Sequence, residues 1–225
     1  MFVSANFWEG IGHQLKCPSG RSGRLIGRVM ALVNQQPNQL AADALGVSPT
    51  DTILELGFGP GRGVRALSAL APRGRVLGID QSPEMLALAS RNNKRGIEEG
   101  RVQLSLGRFD ALPWQSATID KILAVNVIYF FSETAEELRE ARRVLRPGGV
   151  MAIYATDRST MAHWRFSGPG THSLFDEGEL RAFVMRGGFS ADDVTIRGVT
   201  LPFGVKGLLA VLRKRAGPGQ PCESC

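Results

Sequence analysis

Two acidic residues and a run of glycines could do chemistry in this sequence, because they follow two short apolar segments typical of buried strands. Glu55 lies inside the first segment, and Asp80 directly follows the second, residues 75–79. Glycine occupies every second position from Gly57 to Gly63, which permits a tight turn and leaves no Cβ between backbone and ligand. A carboxylate at the end of the second strand can accept hydrogen bonds from a ribose diol at the edge where such sheets bind ligands.

Two cofactor classes compete for this stretch. A dinucleotide fingerprint, G-x-G-x-x-G, counted from Gly57 requires a small residue where Arg62 stands. A G-x-G-x-x-A pattern counted from Gly61 ends too far inside the helix that we predict over residues 62–71. The run E-L-G-F-G-P-G-R-G, with Asp80 after the next strand, resembles motif I of the class I S-adenosylmethionine-dependent methyltransferases, E/D-x-G-x-G-x-G.

This resemblance covers roughly residues 45–215 and implies a Rossmann-like α/β fold. We expect a seven-stranded, mostly parallel sheet with helices on both faces and the last strand antiparallel. The pattern of strands and helices alone predicts only the α/β class. The resemblance further implies S-adenosylmethionine as cofactor, held by Glu55, Gly57, Gly59, Gly61, Asp80, Gln81, Met85, Asp110, Ala111 and Asn126. For Met85, packing in the core is the open alternative.

Two further segments follow the ends of predicted strands. The run D-A-L-P-W that begins at Asp110 resembles the family's G-D-A-x-x-L-P-F, with one spacer residue fewer. The resemblance implies that Asp110 faces the adenine amino group, and capping of a turn is the alternative. Asn126 and Tyr129 follow the central strand, so they are candidates to line the transfer site or, alternatively, to stabilise a turn and pack a ring.

Methyl transfer from a sulfonium is an in-line displacement, so the protein mainly aligns the acceptor with the methyl group. A base is needed only where the acceptor loses a proton. The candidate catalytic residues are His13, His163, His172 and Tyr129, with Asp157 as a further candidate. The alternative for each lone histidine is an ordinary hydrogen-bonded position.

The predicted organisation is an N-terminal helical cover at 1–47, a Rossmann-like methyltransferase domain at 48–215 and a flexible tail at 216–225. The connection 157–175 is too long for a plain loop, and with residues 1–22 it holds all three histidines. We expect these two stretches to form the acceptor side. The alternative is an N-terminal segment on the back of the sheet and a plain surface loop.

Several boundaries can be predicted from local signals. A helix over 23–47 is expected to be interrupted by Pro37, and Ser82 is expected to cap a helix. Another helix is predicted from Ser132 to near residue 145, followed by a strand over 150–155. Asp176 and Glu179 have the spacing of a capping box.

The charge and the motifs of the sequence limit the class of methyl acceptor. The net charge of +6 on 225 residues comes without a dense basic tract, and no Asn-Pro-Pro-Tyr-type sequence follows the fourth strand. We therefore expect a small-molecule acceptor and no nucleic acid. An RNA methyltransferase and a non-catalytic S-adenosylmethionine-binding domain remain the alternatives.

The remaining expectations concern location and assembly. Without a long apolar stretch or a signal-peptide pattern, we expect a cytoplasmic monomer or homodimer with no membrane partner. Cys222 and Cys225 have redox or zinc spacing, but they lie in a Gly/Pro tail with no second ligand pair. Cys17 alone cannot complete a tetrahedral site, so no metal is expected.

Overall fold

The computed structural model describes residues 34–164, 166–167 and 172–215. Its elements, in chain order, are α1 (Gln35–Leu45), β1 (Thr52–Leu56), α2 (Arg62–Leu70), β2 (Arg75–Asp80), α3 (Pro83–Asn92), α4 (Lys94–Glu98), β3 (Val102–Leu106), β4 (Ile119–Val125), a 3-10 turn (Ile128–Phe130), α5 (Glu136–Val144), β5 (Leu145–Thr156), α6 (Arg158–Met161), α7 (Glu177–Arg186), β6 (Val194–Thr200) and β7 (Lys206–Arg213).

The strands form one sheet in the order β3-β2-β1-β4-β5-β7-β6. Neighbours from β3 to β5 pair in parallel, whereas β7 pairs antiparallel with both β5 and β6. The predicted Rossmann-like sheet with an antiparallel last strand is confirmed. Because the parallel strands share one direction, the carboxyl ends of β1, β2, β4 and β5 meet at one edge, where ligands bind in such folds.

Two apolar cores cover the faces of the sheet. One contains buried residues of α1, α2 and α3, such as Leu45, Val64 and Met85, and the other contains residues of α5 and α7, such as Leu138 and Leu180. The central strands are buried on both faces, as parallel strands between helix layers must be. Among the described residues, no helix is long and apolar enough to cross a bilayer.

Pro37 lies in the first turn of α1, where its missing N–H has no intrahelical acceptor. Residues 23–33 lie outside the described residues, so the interruption predicted at Pro37 stays a prediction. Two other boundaries differ from the sequence predictions. Helix α5 begins at Glu136 instead of Ser132, whose backbone N–H donates to the Glu137 carboxylate at 2.9 Å. Strand β5 begins at Leu145, earlier than predicted, because a register shift in its pairing with β4 accommodates the extra residues.

The N-terminal prediction is only partly covered by the described residues. Helix α1 packs on the sheet, with Ala41 and Leu45 buried, which agrees with the sheet-packing alternative for this part. Residues 1–33 and 216–225 lie outside the described residues, so the cover over the former and the tail over the latter stay predictions.

Candidate functional site

The turn between β1 and α2 depends on glycine. Gly57, Gly59 and Gly61 have φ values of +70°, +50° and +80°, which residues with a Cβ rarely adopt. Gly57 N–H donates to the Ile79 carbonyl at 2.8 Å, which joins the ends of β1 and β2. A Cβ on Gly57 would lie 2.7 Å from Val127 Cγ2, whereas one on Gly59 would meet no atom within 4 Å. The loop is therefore tightly packed on one side and open at Gly59.

Asp80 lies directly against this loop. Its Oδ2 accepts a hydrogen bond from Gly59 N–H at 2.8 Å, and its Oδ1 accepts one from Ser82 N–H at 2.9 Å. Burial raises the pKa of Asp80, while these backbone donors act in the opposite direction. The Gln81 backbone N–H is a third donor to this carboxylate. A carboxylate has about four acceptor sites, so Asp80 is held in a fixed orientation and retains capacity for a ligand hydroxyl.

Glu55 is the other acid of the motif, and it is 4% exposed. Its Oε2 has no hydrogen-bond partner among the described residues, and its Oε1 lies where a Cβ on Gly63 would be. Burial, and secondarily the charge of Asp80, raises the pKa of Glu55 from 4.5 to about 8. A buried carboxyl atom without a partner is costly, and a nearby ligand cation would satisfy it.

The segment after Asp80 leads into α3. Gln81 is exposed in the turn, and Ser82 Oγ accepts a hydrogen bond from Met85 N–H at 3.2 Å, which confirms the predicted cap. The Met85 side chain is 1% exposed and belongs to the core beneath α2 and α3. This placement corresponds to the packing alternative for Met85, and the contact of Gln81 with the cofactor stays a prediction.

The segment that begins at Asp110 follows β3 beside Asp80. The Gly107 N–H donates to the Asp80 carbonyl at 2.9 Å. Arg108 Nε donates to Asp110 Oδ1 at 2.8 Å, and this hydrogen bond lowers the pKa of Asp110. Ala111 is exposed, whereas Leu112 is buried. The segment therefore starts beside Asp80 through Gly107, and the contact of Asp110 and Ala111 with adenine stays a prediction.

A polar network lies at the ends of β4 and β5. Asn126 has a φ of +52°, and its Nδ2 donates to Asn34 Oδ1 at 2.8 Å. The Asn126 Oδ1 accepts hydrogen bonds from Tyr129 Oη at 2.7 Å and from Thr156 Oγ1 at 3.4 Å. A strained backbone held by surrounding contacts is a frequent feature of functional sites.

Tyr129 is enclosed by this network. Its hydroxyl donates to Asn126 and accepts from the backbone N–H of Thr156, and burial raises its pKa well above the usual range. A buried phenol whose raised pKa keeps it protonated is a poor base. These contacts are compatible with the turn-stabilising alternative, and the catalytic role of Tyr129 stays a prediction.

The histidines differ in their surroundings. His163 is exposed, and its Nδ1 lies 2.7 Å from the Ser159 carbonyl oxygen. Because a carbonyl only accepts, the neutral ring carries its proton on Nδ1, which leaves the Nε2 lone pair available. His172 is 6% exposed, with its ring centroid 4.9 Å from that of Phe130. His13 lies outside the described residues.

The described part of the connection 157–175 packs on the domain. Met161 and Phe175 are buried, and Trp164 packs against the same core. Arg158 N–H donates to the Phe175 carbonyl at 2.8 Å, which ties the start of the connection to its end. The described part of the connection is thus anchored at the carboxyl edge of β5, and its role on the acceptor side stays a prediction.

Sequence reasoning missed three polar residues of the site. Thr156 and Asn34 join the network around Asn126, and the Asn93 side chain donates to the Gly61 carbonyl at 2.9 Å. Thr156 had a usable signal, because it is a polar residue at the end of a predicted strand. Asn34 and Asn93 had none, since their partners are far away in sequence.

The fold and this edge define a Rossmann-like protein with a glycine turn and an acid after β2, the arrangement of a nucleoside-binding site. Residues 54–153 match the family described as a methyltransferase domain. The chain is 32% identical over 138 residues to YdaC, an uncharacterized methyltransferase of Bacillus subtilis. The aligned region covers 61% of this chain and 74% of YdaC. The chain therefore belongs to the class I S-adenosylmethionine-dependent methyltransferases.

Other relatives are matched over shorter parts of their length. The erythromycin 3''-O-methyltransferase of Saccharopolyspora erythraea is 29% identical over 53% of this chain and 39% of its own length. A 37.1 kDa transposon protein of Streptomyces fradiae is 39% identical over 51% of this chain, and the match spans 33% of that protein. A methyltransferase structure from Aquifex aeolicus superposes with a TM-score of 0.63 at 20% identity, covering 94% of this chain and all of the other.

Proposed function

We propose that this protein transfers a methyl group from S-adenosylmethionine to a small-molecule acceptor. S-adenosylmethionine is the cofactor of the family to which the chain belongs. The observation that carries the proposal is the Asp80 carboxylate, fixed by Gly59 N–H at 2.8 Å beside the open glycine turn. A fixed carboxylate beside a glycine turn at the carboxyl edge of the sheet suits a ribose diol.

The residues present fit this cofactor. Asp80 would accept hydrogen bonds from the ribose hydroxyls, and the open space at Gly59 would admit the ligand next to the backbone. Glu55, whose Oε2 has no partner among the described residues, would compensate positive charge once a bound cation lowers its raised pKa and it ionises. Gln81, Asp110 and Ala111 would border the base. The bound cofactor supplies an activated methyl group on a positively charged sulfur.

His163 is the candidate base whose described contacts leave a ring nitrogen open. The Ser159 carbonyl fixes the Nδ1–H tautomer, so the Nε2 lone pair can take a proton from the acceptor. His172 is enclosed among aromatic rings, which suits it to shaping a binding surface. His13, in the predicted N-terminal cover, stays a second candidate.

The small-molecule acceptor is favoured over RNA by two observations. The relative named erythromycin 3''-O-methyltransferase acts, by its name, on a small molecule. The net charge of +6 is spread along the sequence, whereas RNA recognition needs a concentrated basic face with stacking aromatics. A domain that binds the cofactor without turnover remains the competing reading of the same site.

Cofactor binding is tested by titrating S-adenosylhomocysteine into the parent protein and into Asp80→Ala. Loss of charge-assisted hydrogen bonds should weaken binding by about 1.5–3 kcal/mol. Asp192→Ala, which removes an exposed carboxylate away from the site, is the matched control and should bind as the parent does. Unchanged affinity in Asp80→Ala, with an intact circular dichroism spectrum, would refute the ribose assignment.

Methyl transfer is tested by incubating the protein with labelled S-adenosylmethionine and a metabolite extract, with total RNA in a parallel reaction. Label should enter a low-molecular-mass product and not RNA. His163→Ala should lower this transfer while leaving S-adenosylhomocysteine affinity within about tenfold. Label in RNA alone would contradict the small-molecule acceptor, and binding without any transfer would favour the non-catalytic domain.

A further inference from the structure

A chain of aromatic rings runs along the acceptor side of the sheet edge. Trp164 and Phe166 have centroids 5.4 Å apart, and Phe166 is 6.1 Å from His172. His172 in turn lies 4.9 Å from Phe130 and 5.9 Å from Tyr129. We call these five residues the aromatic row. It joins the 3-10 turn after β4 to the connection after β5.

The aromatic row is adjacent to the glycine turn. Tyr129 is hydrogen-bonded to Asn126 at 2.7 Å, and Val127 packs against Gly57 of the turn. The row therefore starts one short turn from the proposed cofactor loop. Phe130, Trp164 and Phe166 are only half-buried, so they keep ring surface that a ligand can cover.

The charges around the row argue against a cationic ligand. In the described part of the connection, Asp157 Oδ1 accepts from Ser159 N–H at 2.8 Å. Glu179, at the start of α7, accepts from Arg158 Nε at 2.9 Å. These carboxylates are already engaged, and the chain carries a net charge of +6. An ammonium ligand would gain ring contacts, but neither of these two described carboxylates would be a free counter-charge for it.

We infer that the methyl acceptor is a neutral aromatic compound bearing a hydroxyl group, stacked on the aromatic row. This inference rests on the proposed function and names its substrate class. Aromatic pairs with offset or tilted geometry attract one another beyond the effect of burial alone. His163 Nε2 takes the hydroxyl proton, the oxygen bonds to the methyl carbon, and the S–CH3 bonding electrons return to sulfur. The products are the methyl ether and S-adenosylhomocysteine.

Binding of two matched probes tests the inference without requiring turnover. Calorimetry with the full chain compares 2-naphthol with decahydro-2-naphthol, which keeps the carbon skeleton and hydroxyl but lacks the aromatic system. The expected preference for 2-naphthol is roughly tenfold or more. Phe130→Leu and Phe166→Leu should each reduce that preference to about twofold. Phe203→Leu is the matched control, because Phe203 is fully exposed at the β6–β7 turn, and it should keep the parent preference.

Two results would overturn the inference. One is equal affinity for the two naphthols in the parent protein, and the other is tighter binding of tetramethylammonium than of 2-naphthol. The titrations are run with and without S-adenosylhomocysteine, whose own binding is measured in the same series. Failure of S-adenosylhomocysteine to bind refutes the proposed function, whereas its binding without an aromatic preference refutes only the acceptor class. Phe166→Leu lies outside the sheet, so it serves if Phe130→Leu fails to fold.

Discussion

Glu55 should make the stability of this protein depend on pH in an unusual direction. Burial raises its pKa from 4.5 to about 8 in the folded chain. Between these values the folded state holds a proton that the unfolded state has lost, so stability falls as pH rises. Most paired carboxylates act in the opposite direction, because their pKa is lowered on folding.

The magnitude follows from the size of the shift. One pKa unit corresponds to about 1.36 kcal/mol, and pH 5 and pH 7 both lie between the folded and unfolded values. Over those two units the Glu55 carboxyl should therefore destabilise the fold by about 2–3 kcal/mol. Glu55→Gln keeps the shape of the side chain but removes the titration.

The assay is urea unfolding of the parent and Glu55→Gln at pH 5, 6 and 7, followed by circular dichroism at constant ionic strength. The parent should lose about 2–3 kcal/mol relative to Glu55→Gln between pH 5 and pH 7. Glu133→Gln, at an exposed position, is the control and should follow the parent. Parallel curves for the parent and Glu55→Gln would refute the reasoning, since they would mean that Glu55 ionises normally in the folded chain.

Three further predictions concern the backbone and the polar network. Gly57→Ala should lower the free energy of unfolding by about 2 kcal/mol or more, because the added Cβ would lie 2.7 Å from Val127. Gly59→Ala, where the added Cβ meets open space, should lower it by about 1 kcal/mol. Equal unfolding midpoints for the two variants would contradict this prediction. Tyr129→Phe should destabilise by about 1–3 kcal/mol, because it leaves the Thr156 N–H buried without an acceptor; a neutral result in urea unfolding would mean that the network adds nothing. Phe203→Asn should stabilise the fold by about 0.5–1 kcal/mol. Phe203 is fully exposed and has a φ of +63°, a conformation that asparagine tolerates. A lower melting temperature would count against this prediction.

Much of the fold could be predicted from the sequence because its signals are local. The apolar runs gave the strands, the alternating glycines gave the turn, and Ser82 and Asp176 gave two helix starts whose caps the structure confirms. The boundaries failed where a longer-range contact competes with local propensity. Ser132 could have capped a helix by its type, but its contacts with Glu137 hold it in the turn before α5.

The residues of the candidate site also fall into those that local sequence predicts and those that depend on tertiary contacts. Glu55, the glycines and Asp80 lie within one strand–turn–helix–strand unit, so their spacing in sequence determines their spacing in space. The partners of Asn126 depend on tertiary structure, because Asn34 is 92 residues away and Thr156 is 30 residues away. No local propensity encodes such a contact; the packing of α1 on the sheet and the pairing of β4 with β5 create it.

Burial and hydrogen-bond partners, which the sequence does not contain, distinguish the candidate residues from one another. Residue type made Tyr129 and the histidines equal candidates for proton transfer. The fold encloses the Tyr129 hydroxyl between Asn126 and Thr156, and it leaves His163 exposed with its proton fixed on Nδ1. Sequence alone thus determined where the cofactor motif lies. Only the tertiary structure could decide which nearby groups can exchange a proton, because that depends on the atoms that surround each group.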